Sequence, residues 1–512
     1  MHFTLFYLMV LGASALDPLK SVGGNSPWFQ GPNVYNIPDK TPEGCSVEQA
    51  TFVSRHGSRY PDPGAYSEWT TLSEKVLIIF PLSCSLLGRK DLYSSTSTFV
   101  GLLGLEQTWL SLIHSASFTA NGSLSFIKDW EPVLSYPDQQ ISEISIGGYK
   151  ELYDMGVAFR WRYPDFYKDN SNFTMWSNLY AAAPRVIESA QLFARGYMGP
   201  NSSYGSIYVI NSTDERSLAN SLAASDLCNT YKDNSGSPYT TTWGDMYLPP
   251  ITKRLNKLLT GNLTFDDSDV SIFPYLCGFE TQITGSTSPW CSVFTDSELR
   301  NYEYYQDLRY WYGSGPGAFK NDTVMLPLLE AIVKRFQDGP NKTYTSSDNT
   351  TFTPPKLTAM FTNDGQVNQL VSVSGIFDNQ TALPATRIPD NQLYIASHIV
   401  PMKGFILFEK LSCPSSSTTT NSTTPEKYIR ILLNNAIYPL PTCSSGPGQS
   451  CPLSQYAKLV SQKRKTAGSF VDICEVEEDV VEEADRWDGG SEGEKSTFLE
   501  DLGLPFEWVV KP

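Results

Sequence analysis

Several apolar runs along the chain are short, rich in strand formers and closed by glycine, proline or asparagine. Gln49 to Ser54, QATFVS, predicts a buried strand that ends just before Gly57. A second strand is predicted from Leu357 to Phe361; it breaks at Asn363-Asp364-Gly365 and gives way to a helical pattern. Ligands of open α/β sheets bind at such carboxyl strand ends. Between these two edges, AAAPRVIESAQLFARGY predicts a helix with Pro184 in its first position, where the missing N–H costs nothing, and with Arg185 in its first turn. NQLYIASHIVPMKGFILFEKLSC predicts two strands around a turn at Pro401 to Gly404, and KYIRILLNNAIYPL a further hairpin. The polar tract PSSSTTTNSTTP between them lacks packing capacity. Residues 215–340 mix helical patches, such as Val324 to Gln337, with loops rich in tyrosine, glycine and proline, and predict an inserted domain. No internal repeat is present.

Composition bounds the setting. A chain of 512 residues, 40% hydrophobic, buries a large core and suits one large domain with insertions or two domains. Its net charge of -16 argues against nucleic acid or an anionic membrane as partner, and approaches neutrality only in acid. No stretch is long and apolar enough to span a bilayer, and the carboxyl end lacks the apolar tail of a lipid-anchor signal. The first 15 residues contain an apolar run of roughly ten residues that ends at Ala13-Ser14-Ala15, as a secretory signal peptide does. The nine cysteines form no CxxC pair, which favours disulfides over zinc. Acceptor sequences for N-glycosylation occur at Asn121, Asn172, Asn201, Asn211, Asn262, Asn321, Asn341, Asn349, Asn379 and Asn421. Together these features predict a secreted glycoprotein. Residues 481–512 read as an acidic C-terminal tail.

The strongest chemical signal follows the first strand, in FVSRHGSRYP. Arg55 and Arg59 flank His56, and two guanidinium groups demand anions or water. Their forks match the oxygens of phosphate or carboxylate, so the expected guest is an oxyanion. The imidazole is then either a proton carrier or a nucleophile toward phosphorus. Cationic neighbours depress its pKa and leave a ring nitrogen free in mildly acidic water. Gly57 allows the guest to approach the backbone closely.

RHGSRYP (Arg55 to Pro61) resembles the RHGxRxP signature of the histidine acid phosphatase family, the branch of the histidine phosphatase superfamily that includes fungal acid phosphatases and phytases. GYKELYDMGVAFRWRYP, APRVIESAQLFARGY and SHIVPMKGFILFEKLSC are similar to family segments in the same order, so the likeness runs from about Gly44 to Cys474. It implies an α/β fold like that of phosphoglycerate mutase: a central, mostly parallel sheet flanked by helices (residues 45–75, 140–214 and 341–480), with a smaller, mainly helical domain inserted at 215–340. His56 would take the phosphoryl group as a phosphohistidine, with Arg55, Arg59 and Arg185 holding its oxygens. Asp364 would protonate the leaving alcohol. The family's second signature is His-Asp, and this chain has Asn363-Asp364. The Asn363 amide still donates a neutral hydrogen bond to phosphate, and losing a charged donor costs about 3 kcal/mol.

The resemblance also implies small-molecule phosphate monoesters as substrates, with neither metal nor cofactor, since three arginines supply the charge stabilisation. The stretch DPGAYSEW after the motif has no basic residue of the kind phytate specialists use, so a broad acid phosphomonoesterase is expected, with phytate as a further substrate. A non-catalytic phosphate-ester-binding glycoprotein is the alternative that Asn363 raises. The disulfides implied by family order are Cys45 with Cys413, Cys228 with Cys474, Cys277 with Cys291, and Cys443 with Cys451. Cys84 is left over, in an aperiodic segment from Val76 to His114 where family members pass more directly onward. That segment is an anomalous insertion, either a translated retained intron or an unusual loop. The oligomeric state stays open.

Overall fold

Alternate residues of the strand Ser46–Arg55 face two different layers, Phe52 packing into one apolar cluster and Val53 into the other. This strand is central to the computed structural model, which describes residues 16–77, 118–179, 184–414, 425–477, 496–504 and 506–512. In chain order the main sheet is built from β1 (Ser46–Arg55), β2 (Phe173–Asn178), β3 (Gly205–Ile210), β4 (Leu357–Thr362), β5 (Phe405–Cys413), β6 (Glu426–Leu433), β7 (Ala436–Ile437), β8 (Cys451–Pro452) and β9 (Trp508–Val510). Among the described residues the order is β7-β6-β5-β1-β4-β2-β3-β9, with β8 paired to β6.

β1, β4, β2 and β3 run parallel, and Arg55 lies opposite Thr362 at the shared carboxyl end. β5, β6, β7 and β9 join antiparallel, so the sheet as a whole is mixed rather than mostly parallel. Short connections explain part of this. The Asn434-Asn435 turn, with φ of 47° and 71°, can only return β7 beside β6 as a hairpin.

The longer helices are α1 (Pro63–Leu77), α2 (Ile146–Arg162), α3 (Arg185–Met198), α4 (Ser237–Asn256), α5 (Asp267–Thr284), α6 (Asp296–Gly313), α7 (Leu326–Asp338), α8 (Asp364–Ser374) and α9 (Leu453–Ala467). α2 and α3 cover one face of the sheet, where the Phe52 ring meets Phe159 and Phe193 at centroid distances of 4.7 and 5.1 Å. The two helices touch backbone to backbone: a Cβ on Gly196 would lie 2.0 Å from the Tyr153 carbonyl oxygen. Residues of α7, α8 and α9, including Ile332, Leu370 and Tyr456, share the cluster that holds Val53. α4 packs on α5 and α6. Capping boxes start α5 (Asp266 with Asp269) and α6 (Thr295 with Glu298), so local chemistry places those helix ends.

Four disulfides join Cys45 to Cys413, Cys228 to Cys474, Cys277 to Cys291 and Cys443 to Cys451, the pairing that the family likeness implied. None of Asn121, Asn172, Asn201, Asn211, Asn262, Asn321, Asn341, Asn349 and Asn379 is buried. Asn421 lies outside the described residues, as do the expected signal segment, positions 78–114 with Cys84, and the acidic run 478–495. No helix among the described residues is long and apolar enough to cross a membrane.

Three expectations change. Pro184 stands at the N-cap rather than inside the helix, which begins at Arg185. The segment before Pro401 is a helical turn, Ala396–Ile399, not a strand. Its backbone is bonded to side chains: the Ala396 N–H donates to Asp307 Oδ1 at 2.7 Å, and Asn434 Nδ2 donates to the His398 carbonyl at 2.8 Å. Those bonds replace the ladder a strand needs. Of the expected acidic tail, 496–512 is largely packed: Phe498 and Leu499 are buried, and β9 pairs Trp508 with Val209 at the sheet edge. The apolar Trp508, Val509 and Val510 suit an edge strand, whereas the acidic residues that suggested a tail precede them.

Candidate active site

Parallel pairing of β1 with β4 sets their carboxyl ends side by side, which brings residue 56 beside residues 363 and 364. The His56 N–H donates to the Thr362 carbonyl at 3.1 Å, and the His56 carbonyl accepts from the Lys403 N–H at 2.8 Å. The next residues are held by the helices on the covered face. The Gly57 N–H donates to Ser189 Oγ on α3 at 3.1 Å, and Glu151 on α2 accepts from both the N–H and the hydroxyl of Ser58 at 2.8 Å. A Cβ on Gly57 would meet Leu152 Cδ2 at 2.3 Å and the Gly148 carbonyl oxygen at 3.0 Å, so glycine suits this close approach to α2.

His56 is 2% exposed, and its Nδ1 lies 2.8 Å from the Gly57 carbonyl oxygen. A carbonyl only accepts, so Nδ1 carries the proton and Nε2 keeps its lone pair. Burial, followed by the charges of Arg185, Arg55 and Arg59, holds the imidazole well below its ordinary pKa, against the smaller pull of the Gly57 carbonyl. Arg55 donates to the Val400 carbonyl at 2.8 Å and to that of Gly24, and its other terminal nitrogen is 3.3 Å from Asp364 Oδ2. Arg59 donates to the Tyr60 carbonyl at 2.9 Å and to Asp62 Oδ2 at 3.2 Å. Burial and then Arg185 lower Arg59 to about 10. Arg185, at the start of α3, donates to the Ser142 carbonyl at 3.0 Å. The buried Nε of Arg55 and of Arg59 have no hydrogen-bond partner among the described residues. Buried donors without acceptors, on like charges crowded round a neutral ring, mark a seat for an anion.

Asp364 opens α8. Its Oδ2 accepts from the Tyr310 hydroxyl at 2.6 Å as well as from Arg55. Burial alone would push this carboxyl up, but Arg55, the Tyr310 hydroxyl and Arg309 together hold it below the usual carboxylate range.

The sequence profile of the histidine phosphatase superfamily (branch 2) matches residues 46–434, which contain every one of these side chains. The chain belongs to that superfamily branch. It is similar to a phytase of Candida albicans, 28% identical over 450 residues, covering 87% of this chain and 84% of that one. It is also similar to a thiamine-repressible acid phosphatase of Schizosaccharomyces pombe, 28% identical and covering 88% of each chain, and to a constitutive acid phosphatase of Saccharomyces cerevisiae, 26% identical and covering 94% and 92%. The crystal structure of a phytase from D. castellii shares its fold, with a TM-score of 0.72 at 24% identity over 90% of this chain and 88% of the other.

In this histidine phosphatase, Arg55, Arg59 and Asp364 line a cleft of about 390 Å³. His56 and Arg185 lie outside that lining, and both are buried. Asn363 is brought next to Asp364, yet its Oδ1 is buried without a hydrogen-bond partner among the described residues, and its side chain does not cap α8. Four residues escaped the sequence reading: Glu151 and Ser189, which hold the motif loop, and Arg309 and Tyr310 on α6. The α6 stretch YEYYQDLRYWYG mixes tyrosines and charges on all sides, so nothing in its period singles out the face that meets Asp364.

Proposed function

We propose that the protein is a secreted acid phosphomonoesterase that hydrolyses small phosphate monoesters through a phosphohistidine on His56 Nε2. One observation carries this reading: a buried imidazole whose Nδ1 is tied to the Gly57 carbonyl, with the charges of three arginines acting on it. Arg55, Arg59 and Arg185 take the non-bridging oxygens of the substrate dianion, which neutralises their mutual repulsion. Nε2 attacks phosphorus in line as the ester P–O bond breaks, and Asp364 hands its proton to the departing alkoxide. Water then attacks the P–N bond and gives a proton to the Asp364 carboxylate, so that orthophosphate and the starting enzyme result.

Asp364 is held below the usual carboxylate range, which by itself disfavours an acid role. The bound dianion reverses the field: its negative charges offset Arg55 and Arg309 and raise the carboxyl toward protonation as the substrate arrives. An acidic medium assists. Four disulfides, and nine acceptor asparagines that are not buried, support secretion into an oxidising compartment. On this reading the sheet carries the phosphate clamp, and the helical stretch 215–340 lends Tyr275, Arg309 and Tyr310 to the cleft wall.

The orphaned Asn363 favours one second reading, a non-catalytic binder of phosphate esters. Turnover separates the two. The expected outcome is release of phosphate from 4-nitrophenyl phosphate in acid, with His56→Ala lowering kcat by roughly three orders of magnitude or more. A wild-type protein that binds phosphate without turnover would establish the second reading, and an active His56→Ala variant would refute the nucleophile.

A further inference from the structure

Residues 17–31 precede β1 and lie outside the matched family profile, yet they reach the back of the site. One end of this segment is fixed on the β6–β7 turn, where the Gly31 N–H donates to the Asn434 carbonyl at 2.8 Å and Trp28 Nε1 donates to Asn434 Oδ1 at 3.2 Å. Nearer the site, the Ser26 carbonyl accepts from the Met402 N–H at 2.9 Å, and Val22 packs on Leu299 and Tyr302 of α6. Gly24, buried between these anchors, meets both halves of the site. Its carbonyl accepts from Arg55 Nη1, which also donates to the Val400 carbonyl. A Cβ at this position would lie 2.0 Å from the Tyr310 hydroxyl oxygen and 2.7 Å from the ring carbon that carries it. That hydroxyl donates to Asp364 at 2.6 Å. Asp364 is faced by Arg55, His56 and Arg59 at the end of β1 and by Tyr310 and Arg309 on α6.

We propose that Gly24 is a positioning residue for the phosphoryl clamp and for the proton donor together: its carbonyl orients the Arg55 guanidinium, and its lack of a side chain lets the Tyr310 hydroxyl reach Asp364. This rests on the phosphatase reading above and adds to it a residue that does not line the cleft but stands behind two that do. With Nη1 committed to two backbone carbonyls, the plane of the guanidinium is fixed, and Nε and Nη2 keep one direction. A backbone carbonyl anchored on either side yields less than a side-chain acceptor would. Any larger residue at 24 displaces either the tyrosine or the carbonyl, so both contacts depend on the same missing side chain.

Gly24→Ala in the full-length protein tests this on 4-nitrophenyl phosphate. Displacing the Tyr310 hydroxyl removes a bond that holds Asp364 as a carboxylate, so the folded pKa of Asp364 rises and the alkaline limb of kcat/KM moves to higher pH, by roughly half a unit or more. As the Arg55 fork slips, the inhibition constant for orthophosphate rises and kcat/KM at the optimum falls, each by roughly tenfold or more. Because the added methyl acts through the hydroxyl, Gly24→Ala and Tyr310→Phe combined should move the limb no further than the larger of the two single changes. Gly31→Ala is the control within the same segment: its Cβ would lie 2.7 Å from the Leu433 carbonyl oxygen, so it lowers the melting temperature but leaves the limb in place. A limb unmoved in Gly24→Ala, additive shifts in the double variant, or an equal shift in Gly31→Ala would each overturn the proposal. Should Gly24→Ala fail to fold, the double variant is expected to fold, since the hydroxyl that the methyl would overlap is gone; a double variant that also fails overturns the proposal too. A wild type without turnover sinks the phosphatase reading beneath it, which is a different result.

Discussion

At the scale of single residues, the site runs on groups held away from their ordinary protonation behaviour. His56 is held toward its neutral form because it is buried among guanidinium groups, so its Nε2 keeps its lone pair in acid, where a free histidine would be protonated. Asp364 is held the opposite way, as a carboxylate, partly by the Tyr310 hydroxyl. Removing that hydroxyl raises the folded pKa of Asp364. Because the proposed ester cleavage needs the protonated carboxyl, the alkaline limb of kcat/KM should move to higher pH in Tyr310→Phe. A pH profile on 4-nitrophenyl phosphate checks this, and a limb that stays or moves toward acid would show that Tyr310 does not set the acid. At this scale the sequence was informative where chemistry is local. Two arginines around one histidine announce an oxyanion in any fold, whereas Tyr310 announces nothing until α6 is seen beside the start of α8.

The elements do the bringing together. β1 and β4 are separated by about 300 residues of chain, yet parallel pairing puts their carboxyl tips in register, and α8 then starts at Asp364. α3 delivers Arg185 with its first residue and Ser189 one turn later, and its position depends on the close crossing with α2 at Gly156 and Gly196. A methyl group at Gly196 points at backbone, which cannot swing aside as a side chain can. Gly196→Ala should therefore destabilise the fold by about 2 kcal/mol or more and weaken orthophosphate binding as α3 shifts. Thermal unfolding with a competitive-inhibition assay tests both, and an unperturbed melting temperature would mean that the helices separate freely. The element reading from sequence succeeded for β1, β4, α8 and the β6–β7 hairpin, where strand formers end at strong turn residues. It failed at residues 396–399, because their backbone donates to Asp307 and accepts from Asn434, both in distant parts of the chain.

At the scale of the whole molecule, buried carboxyls as well as net charge set how stability answers to pH. On α6, Glu303 and Asp307 are one turn apart and buried. Burial pushes both up, Asp307 well above the ordinary value with a further push from Glu303, against opposing pulls from Arg300, Gln392 and the Ala396 N–H. A carboxyl whose folded pKa is raised contributes stability that is complete below about pH 4, its unfolded value, and is lost as pH rises through the folded value. The wild type should therefore lose melting temperature between about pH 5 and about pH 8 more steeply than Asp307→Asn. Parallel calorimetric curves for the two proteins would show that Asp307 titrates as an ordinary carboxyl. Two of the four disulfides work on an even longer range: Cys45–Cys413 and Cys228–Cys474 join positions 368 and 246 residues apart.

By itself the sequence determined the chemistry of the motif, the ends of the main strands and helices, and, through family likeness, the disulfide pairing. Each of these depends on neighbours along the chain or on a pattern specific enough to survive divergence. Only the tertiary structure decided which hydroxyl holds Asp364, that Asn363 Oδ1 has no hydrogen-bond partner among the described residues, and that residues 508–510 close a sheet edge. Those are properties of distance between remote segments, and distance in space is not written in the local order of polar and apolar residues.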